Sequence, residues 1–145
     1  MTINMKGQAS HMELDKQHLA AEQWAKDIEF YEIETRFFLY LVNRYFTLLL
    51  REENISDAQI IVTQIHFLQK EIATIIAEIK LHANNIAKRF DDLDSYDELK
   101  LREEHTSLES EIRSCIEDYR STKKSVFDLS ARLIEVDKIE HLLKA

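Results

Sequence analysis

The chain of 145 residues contains no proline and a single glycine, Gly7. Turns, bulges and bends normally use these two residues, because glycine reaches backbone conformations that other residues avoid and proline interrupts helical hydrogen bonding. A chain that lacks both over its main length is restricted to long, uninterrupted helices. This restriction predicts an all-α fold with few connections.

The segment from Ile55 to Leu93 carries the strongest repeat in the sequence. Alternating steps of three and four residues from Ala58 pass through a row of aliphatic residues that only His82 interrupts. Such a heptad seam is typical of a helix that packs along its length against other helices. The seam consists of Ala58, Ile61, Ile65, Leu68, Ile72, Ile75, Ile79, His82 and Ile86.

Similar seams begin at Leu14 and at Leu101, so the sequence predicts two further helices. Short links between helices make consecutive helices antiparallel neighbours. We therefore predict an up-down-up antiparallel three-helix bundle, coiled-coil-like, as a single domain over residues 14–145. The predicted helices cover about residues 14–51, 56–90 and 96–143.

The predicted links are two short polar breaks at residues 52–55 and 91–94. A serine after each break, with glutamine or glutamate three residues later, has the spacing of a capping box that begins a helix. The two predicted boxes are Ser56 with Gln59 and Ser95 with Glu98.

Residues 1–13 are polar and show no helical period. They include Ala9-Ser10-His11-Met12, which resembles the remnant of an expression vector before a start at Met12. We expect this segment to be disordered or vector-derived, and we assign it no function.

Charge and cysteine content limit the partners and the compartment. The net charge is −8, whereas binding to a nucleic-acid backbone needs a basic surface, so we expect no nucleic-acid partner. A single cysteine, Cys115, excludes an internal disulfide and a cysteine-based metal site. Without an apolar signal segment near the N-terminus, this composition favours a cytoplasmic protein.

The most apolar segment runs from Phe37 to Leu50, and Asn43, Arg44 and Thr47 interrupt it. A membrane-spanning helix needs about 20 consecutive apolar residues. The segment is too short, so we predict a buried core helix and no membrane span.

Two histidines interrupt the seams at one predicted level. Antiparallel pairing aligns His82 with His105, while Glu78 and Glu109 each lie four residues from a histidine along the same helix. One interpretation is a metal site for zinc, iron or manganese, because imidazoles and carboxylates on facing helices suit these ions. The other, which we favour, is a hydrogen-bonded polar layer that fixes the register and needs no cofactor.

Phe30, Ile33, Phe37 and Tyr40 fall outside the seam of the first helix. A helix that is apolar on most of its circumference is normally covered on most of it. We therefore predict that these residues form an interface, most simply in a homodimer or with another protein. Binding of an apolar ligand by the same aromatic segment is a further hypothesis.

No nucleophile with a base and an orienting partner, no glycine-rich phosphate loop and no paired-cysteine motif is present in the sequence. We therefore expect a non-enzymatic protein that acts through protein contacts. Binding of a metal or small ligand by the histidine layer is the alternative.

The order of several aromatic, histidine and acidic residues resembles that in a group of small bacterial all-helical proteins with no established function. The likeness covers most of residues 14–130. It implies a helical bundle and nothing about chemistry. The residues that carry it are His18, Trp24, Phe30-Tyr31, Glu34, His66-Phe67 and His105.

Overall fold

A computed structural model of the protein describes residues 5–45, 52–92 and 97–144. These residues form three helices that pack against one another, and they include no strand. The all-α, three-helix prediction is confirmed. The helices are α1 (Met5–Arg44), α2 (Glu52–Asp91) and α3 (Glu98–Lys144).

The structure divides into two compact units, and each helix contributes one segment to each unit. Unit 1 comprises Met1–Phe30 and Ala73–Ser114, and unit 2 comprises Tyr31–Ile72 and Cys115–Ala145.

The predicted seams are the buried faces of α2 and α3. Every seam residue of α2 from Ala58 to Ile86 is buried, including His82. The α3 seam is buried from Leu101 to Leu133, except that His105 is half-buried. Burial of apolar surface contributes about 25 cal/mol per Å², so these seams supply the main favourable term in folding.

The contacts in unit 1 define the directions of its helices. Residue numbers rise along α1 and α3 together and fall along α2, which is the predicted up-down-up order. The α2–α3 contacts pair Arg89 with Glu98 at 3.7 Å, Asn85 with Glu104 at 2.8 Å and His82 with His105 at 2.9 Å. The α1–α3 contacts pair Glu13 with Arg102 at 2.6 Å and Trp24 with His105 at 4.5 Å between ring centroids.

Aromatic rings connect α1 and α3 in unit 2. The Tyr119 ring lies 4.2 Å from the Tyr31 ring and 6.0 Å from the Phe38 ring, between centroids. Phe38 is fully buried and also packs edge-on against Phe127 at 6.2 Å. This cluster fixes the level at which α1 meets α3 in the unit.

The first helix begins earlier than predicted. Residues 5–13 are helical, which corrects the prediction of disorder for that part of residues 1–13, and residues 1–4 lie outside the described residues. The physical reason is that extending an existing helix costs little per residue, and nothing after Gly7 interrupts it. The vector origin of this segment stays a prediction.

The predicted caps differ from the structure. The second helix begins at Glu52, so Ser56 lies inside it and the prediction of Ser56 as the N-cap is wrong. Oδ1 of Asp97 accepts a hydrogen bond from the backbone N–H of Leu99 at 2.9 Å, which makes Asp97 the cap of α3. Aspartate caps a helix as well as serine does. Ser95, the predicted cap, lies outside the described residues, as do residues 46–51 of the predicted first helix.

Truncation of a seam residue tests the assignment of the core. Ile65→Ala should lower the free energy of unfolding by about 2–5 kcal/mol, because Ile65 is fully buried and its removal leaves a cavity. Leu81 is 60% exposed on the same helix, and Leu81→Ala should change the free energy by no more than about 0.5 kcal/mol. Urea unfolding followed by circular dichroism measures both. Equal losses in the two variants would contradict the assignment.

Candidate functional site

A buried polar layer in unit 1 is centred on His82. The α2 seam places His82 between Ile79 and Ile86, and its side chain is fully buried. Helix α3 brings His105 to the same level, and α1 contributes Trp24. The juxtaposition of the two histidines that the seam alignment predicted is therefore present.

The two histidines and Glu104 form one hydrogen-bonded chain. Nδ1 of His82 lies 2.9 Å from Oε1 of Glu104, and Nε2 of His82 lies 2.9 Å from Nδ1 of His105. An ionised carboxylate can only accept a hydrogen bond, so Nδ1–H of a neutral His82 donates to Glu104. Nε2 of that ring then accepts a hydrogen bond from Nδ1–H of His105. Both nitrogens of the buried ring are thereby satisfied, as burial of a polar group requires.

Two neighbours support this chain. Nδ2 of Asn85 donates to Oε1 of Glu104 at 2.8 Å, so one carboxylate oxygen receives two hydrogen bonds. The Trp24 ring lies 4.5 Å from the His105 ring and 6.5 Å from the His82 ring, between centroids. The indole therefore packs against both imidazoles from the α1 side.

Burial lowers the pKa of His105 below its usual value of 6.5, and the adjacent His82 lowers it further. The carboxylates of Glu109 and Glu13 raise the pKa of His105, but by less than burial and His82 lower it. The neutral imidazole is therefore favoured at neutral pH. This is the form of histidine that can accept a hydrogen bond or bind a metal ion.

The structure does not bring the predicted carboxylates Glu78 and Glu109 into hydrogen bonds with the histidines. Oε1 of Glu109 instead accepts a hydrogen bond from Nη2 of Arg113 at 3.0 Å on the exposed side of α3. Glu78 hydrogen-bonds Glu111 across α2 and α3. The carboxylate that binds His82 is Glu104, which the sequence analysis did not identify.

A sequence signal for Glu104 exists. It directly precedes His105, and Asn85 directly precedes Ile86, so both lie at the polar edge of a seam. The antiparallel alignment that pairs the histidines also pairs these two edge residues. Extending the alignment from the seam to its edge would have identified the contact.

Each unit contains a pair of carboxyl groups at its α2–α3 contact. In unit 1, a hydrogen bond with Glu111, burial and charge repulsion raise the pKa of Glu78 to about 7. In unit 2, burial, a hydrogen bond with Asp118 and charge repulsion raise the pKa of Glu71 to about 7. Two carboxylates in contact cannot both ionise freely, so each pair retains one proton to near neutral pH.

The histidine pair offers two nitrogen donors to a metal ion, Nε2 of His82 and Nδ1 of His105. Within residues 5–45, 52–92 and 97–144, no group of three or more histidine, cysteine, aspartate or glutamate side chains has the arrangement of a metal site. Further ligands would have to be water or a group from another molecule.

A second buried polar cluster lies in unit 2. The Tyr119 hydroxyl donates a hydrogen bond to Oε1 of Glu34 at 2.9 Å, and Nζ of Lys123 lies 3.5 Å from the same oxygen. Burial and the carboxylate of Glu34 raise the pKa of Tyr119. The hydroxyl therefore stays protonated and acts as a structural donor. Tyr119 lies on the α3 seam, and the heptad pattern alone does not indicate its partners Glu34 and Lys123.

Two other buried residues, Cys115 and Thr35, have structural roles. Burial raises the pKa of Cys115 to about 12, so its thiol is not ionised near neutral pH. Oγ1 of Thr35 donates to the backbone oxygen of Glu32 at 2.7 Å, so this buried hydroxyl needs no ligand.

The predicted interface residues of α1 are all exposed. Ile33, Phe37 and Tyr40 in unit 2 form what we call the α1 ridge, and their exposed fractions are 60%, 44% and 55%. The rings of Phe37 and Tyr40 stack at 6.3 Å between centroids. Phe30, the fourth predicted residue, belongs to unit 1 and is 53% exposed.

No known protein family, no curated protein and no solved structure matches the chain. The resemblance to small bacterial helical proteins therefore stays a prediction.

Helix α2 is long and apolar enough from Ile55 to Asp91 to cross a membrane by length and composition. Its most apolar window has a mean hydropathy of 1.2, and 28% of that window is buried. One such helix is weak support for a membrane span, because core helices of soluble proteins pass the same test. The predicted absence of a span stays a prediction.

The carboxyl pairs predict a loss of stability with rising pH. A folded-state pKa raised from 4.5 to about 7 means that Glu78 binds its proton more tightly in the folded than in the unfolded chain. The resulting stability is complete below pH 4.5 and is lost as the pH rises through about 7. The glutamine side chain of the Glu78→Gln variant cannot ionise. The free energy of unfolding of this variant should therefore fall less than that of the wild type between pH 5 and pH 8.

Urea unfolding at each pH measures this difference. Glu109→Gln is the control, because Glu109 is exposed and pairs with Arg113 rather than with a second carboxyl group. Parallel pH profiles for the wild type and Glu78→Gln would contradict the assignment of the pair.

Proposed function

We propose that this is a non-enzymatic helical protein of the cytoplasm that works through protein contacts and associates with a second copy of itself. The observation that carries the proposal is the exposure of the α1 ridge: three large apolar side chains lie side by side on unit 2, and each of them stays about half exposed.

The spacing of the ridge supports a contact with another protein. Ile33, Phe37 and Tyr40 are separated by four and three residues, so they form one stripe along α1. The opposite side of the same segment is already buried through Thr35 and Phe38. The ridge is therefore additional to the core, and its surface is available to another molecule.

Burial of the ridge in a contact would favour association. Full burial of a large apolar side chain contributes about 1.5–3 kcal/mol. Contiguous exposed apolar surface of this kind is typical of interaction sites, whereas isolated exposed apolar residues are common on any protein. Phe30, which belongs to unit 1, stays a predicted interface residue.

The first experiment measures the mass of the protein in solution by light scattering and sedimentation. The wild type should be a dimer, and Phe37→Glu should raise its dissociation constant at least about tenfold, because a charge would be buried in the apolar contact. Leu99→Glu is the matched control, since Leu99 is a similarly exposed apolar residue on α3 in unit 1. A wild type that stays monomeric at high concentration would contradict the proposal.

A second candidate function is metal binding by the polar layer. The observation that favours it is the 2.9 Å separation of Nε2 of His82 and Nδ1 of His105, with Glu104 bound to the other nitrogen of His82. Two nitrogens that share a tetrahedral zinc ion at about 2.0–2.1 Å lie about 3.3–3.4 Å apart, so a small separation of the two rings would admit the ion. A carboxylate behind a histidine ligand, itself hydrogen-bonded as Glu104 is by Asn85, is the usual support of such a site.

Elemental analysis after dialysis with zinc, iron or manganese tests this candidate. His82→Ala/His105→Ala should abolish stoichiometric uptake with the helical content retained, and Glu104→Gln should weaken it by about 10–100-fold. His18→Ala/His66→Ala is the control, because both of these imidazoles are exposed. Uptake that survives loss of His82 and His105 would exclude the layer as the binding site.

A further inference from the structure

Unit 2 contains a groove between α2 and α3. Two adjoining cavities of about 280 and 260 Å³ form it, and Gln64 lines both. Its α3 side carries small side chains, among them Ser121 and Ser125. Its α2 side carries Phe67 and Ile60, which are 63% and 56% exposed. The groove thus combines exposed apolar surface with space for incoming side chains.

The groove contains an unsatisfied hydrogen-bond acceptor. Oε1 of Gln64 is buried and has no hydrogen-bond partner among the described residues. A buried polar atom without a partner costs about 1–3 kcal/mol. An occupant that supplies a donor would recover that cost once the Gln64 amide rotates toward the groove.

The charge of the groove is negative. Asp128 lines the second cavity and makes no ion pair with a described residue, whereas Asp57 is compensated by Arg132 at 3.2 Å. Asp118 lines the first cavity and shares a hydrogen bond with Glu71, and the shared proton leaves this pair with one negative charge. An occupant with a positive charge is therefore favoured.

The α1 ridge has the complementary chemistry. Phe37 and Tyr40 present two stacked rings, and Nη1 of Arg44 donates to the Tyr40 hydroxyl at 3.4 Å. Arg44 makes no ion pair with a described residue, so its charge is available to an acidic partner. The ridge thus supplies apolar rings, hydrogen-bond donors and a positive charge.

We propose that the α2–α3 groove of unit 2 receives the α1 ridge of a second copy of the chain. This inference rests on the proposed self-association and names the surface that the ridge contacts. The larger cavity can admit an aromatic ring, since an apolar cavity of about 150 Å³ binds benzene. Pairing of ridge with ridge would leave Oε1 of Gln64 and the charge of Asp128 without partners.

A ridge that enters a groove joins two different surfaces of the chain, so the two can be disabled separately. Phe37→Glu disables the ridge, and Ser121→Trp fills the groove from an exposed position that is not part of the core. Ser107→Trp is the matched control, because Ser107 is equally exposed on α3, two heptads earlier and in unit 1. Sedimentation of each variant and of their equimolar mixture gives the mass.

Each of Phe37→Glu and Ser121→Trp should weaken association at least about tenfold, and Ser107→Trp should leave it unchanged. The mixture should recover dimer, because the intact ridge of one variant can enter the intact groove of the other. Dimerisation of Ser121→Trp at the wild-type level would overturn the inference and leave the proposed self-association standing. A mixture without recovery would also overturn the inference. Wild-type association by Phe37→Glu would reject the ridge itself, and both proposals with it.

Discussion

The aliphatic seam of α2 is the constraint on which the other contacts depend. Its residues are buried in both units, and they fix the rotation of α2 about its own axis. A rotation that removed Ile65 or Ile72 from the core would lose about 1.5–3 kcal/mol for each side chain. Once the rotation of α2 is fixed, the side chains beside the seam point in fixed directions relative to the neighbouring helices. The polar layer, the carboxyl pairs and the groove are consequences of those directions.

The polar contacts between α2 and α3 share one position relative to the seams. Glu71, Glu78 and Asn85 each precede a buried isoleucine by one residue and recur every seven residues. Their partners precede seam residues of α3 in the same way. In each unit the heptad therefore sets a polar edge at this contact, and the composition of the edge decides the chemistry. Two carboxyl groups make a proton-sharing pair, whereas Glu104 accepts hydrogen bonds from the Asn85 amide and from His82.

The sequence predicts the features that the heptad seam determines. It fails at positions where other local arrangements of the chain compete with the predicted one. The buried residues of α2 and the level of His82 and His105 follow from periodicity and antiparallel pairing alone. His82 hydrogen-bonds Glu104 because that carboxylate reaches the ring from the facing helix, whereas Glu78 lies one turn away on the same helix as His82. The prediction of Ser56 as an N-cap was wrong because a good capping residue does not start a new helix when no glycine or proline before it interrupts the existing one. These errors concern side-chain direction and helix ends, which the heptad does not determine.

The chain departs from the heptad pattern in two places. The two departures differ in whether other residues of the chain supply contacts for the side chains involved. His82 places a polar group on an apolar seam, but Glu104 and His105 occupy both of its nitrogens, so the layer is complete without another molecule. The α1 ridge places apolar groups outside a seam, and each of them stays about half exposed. A feature that is internally satisfied is explained by stability and register. Contiguous exposed apolar surface is typical of interaction sites, so the proposed function rests on the ridge rather than on the histidines.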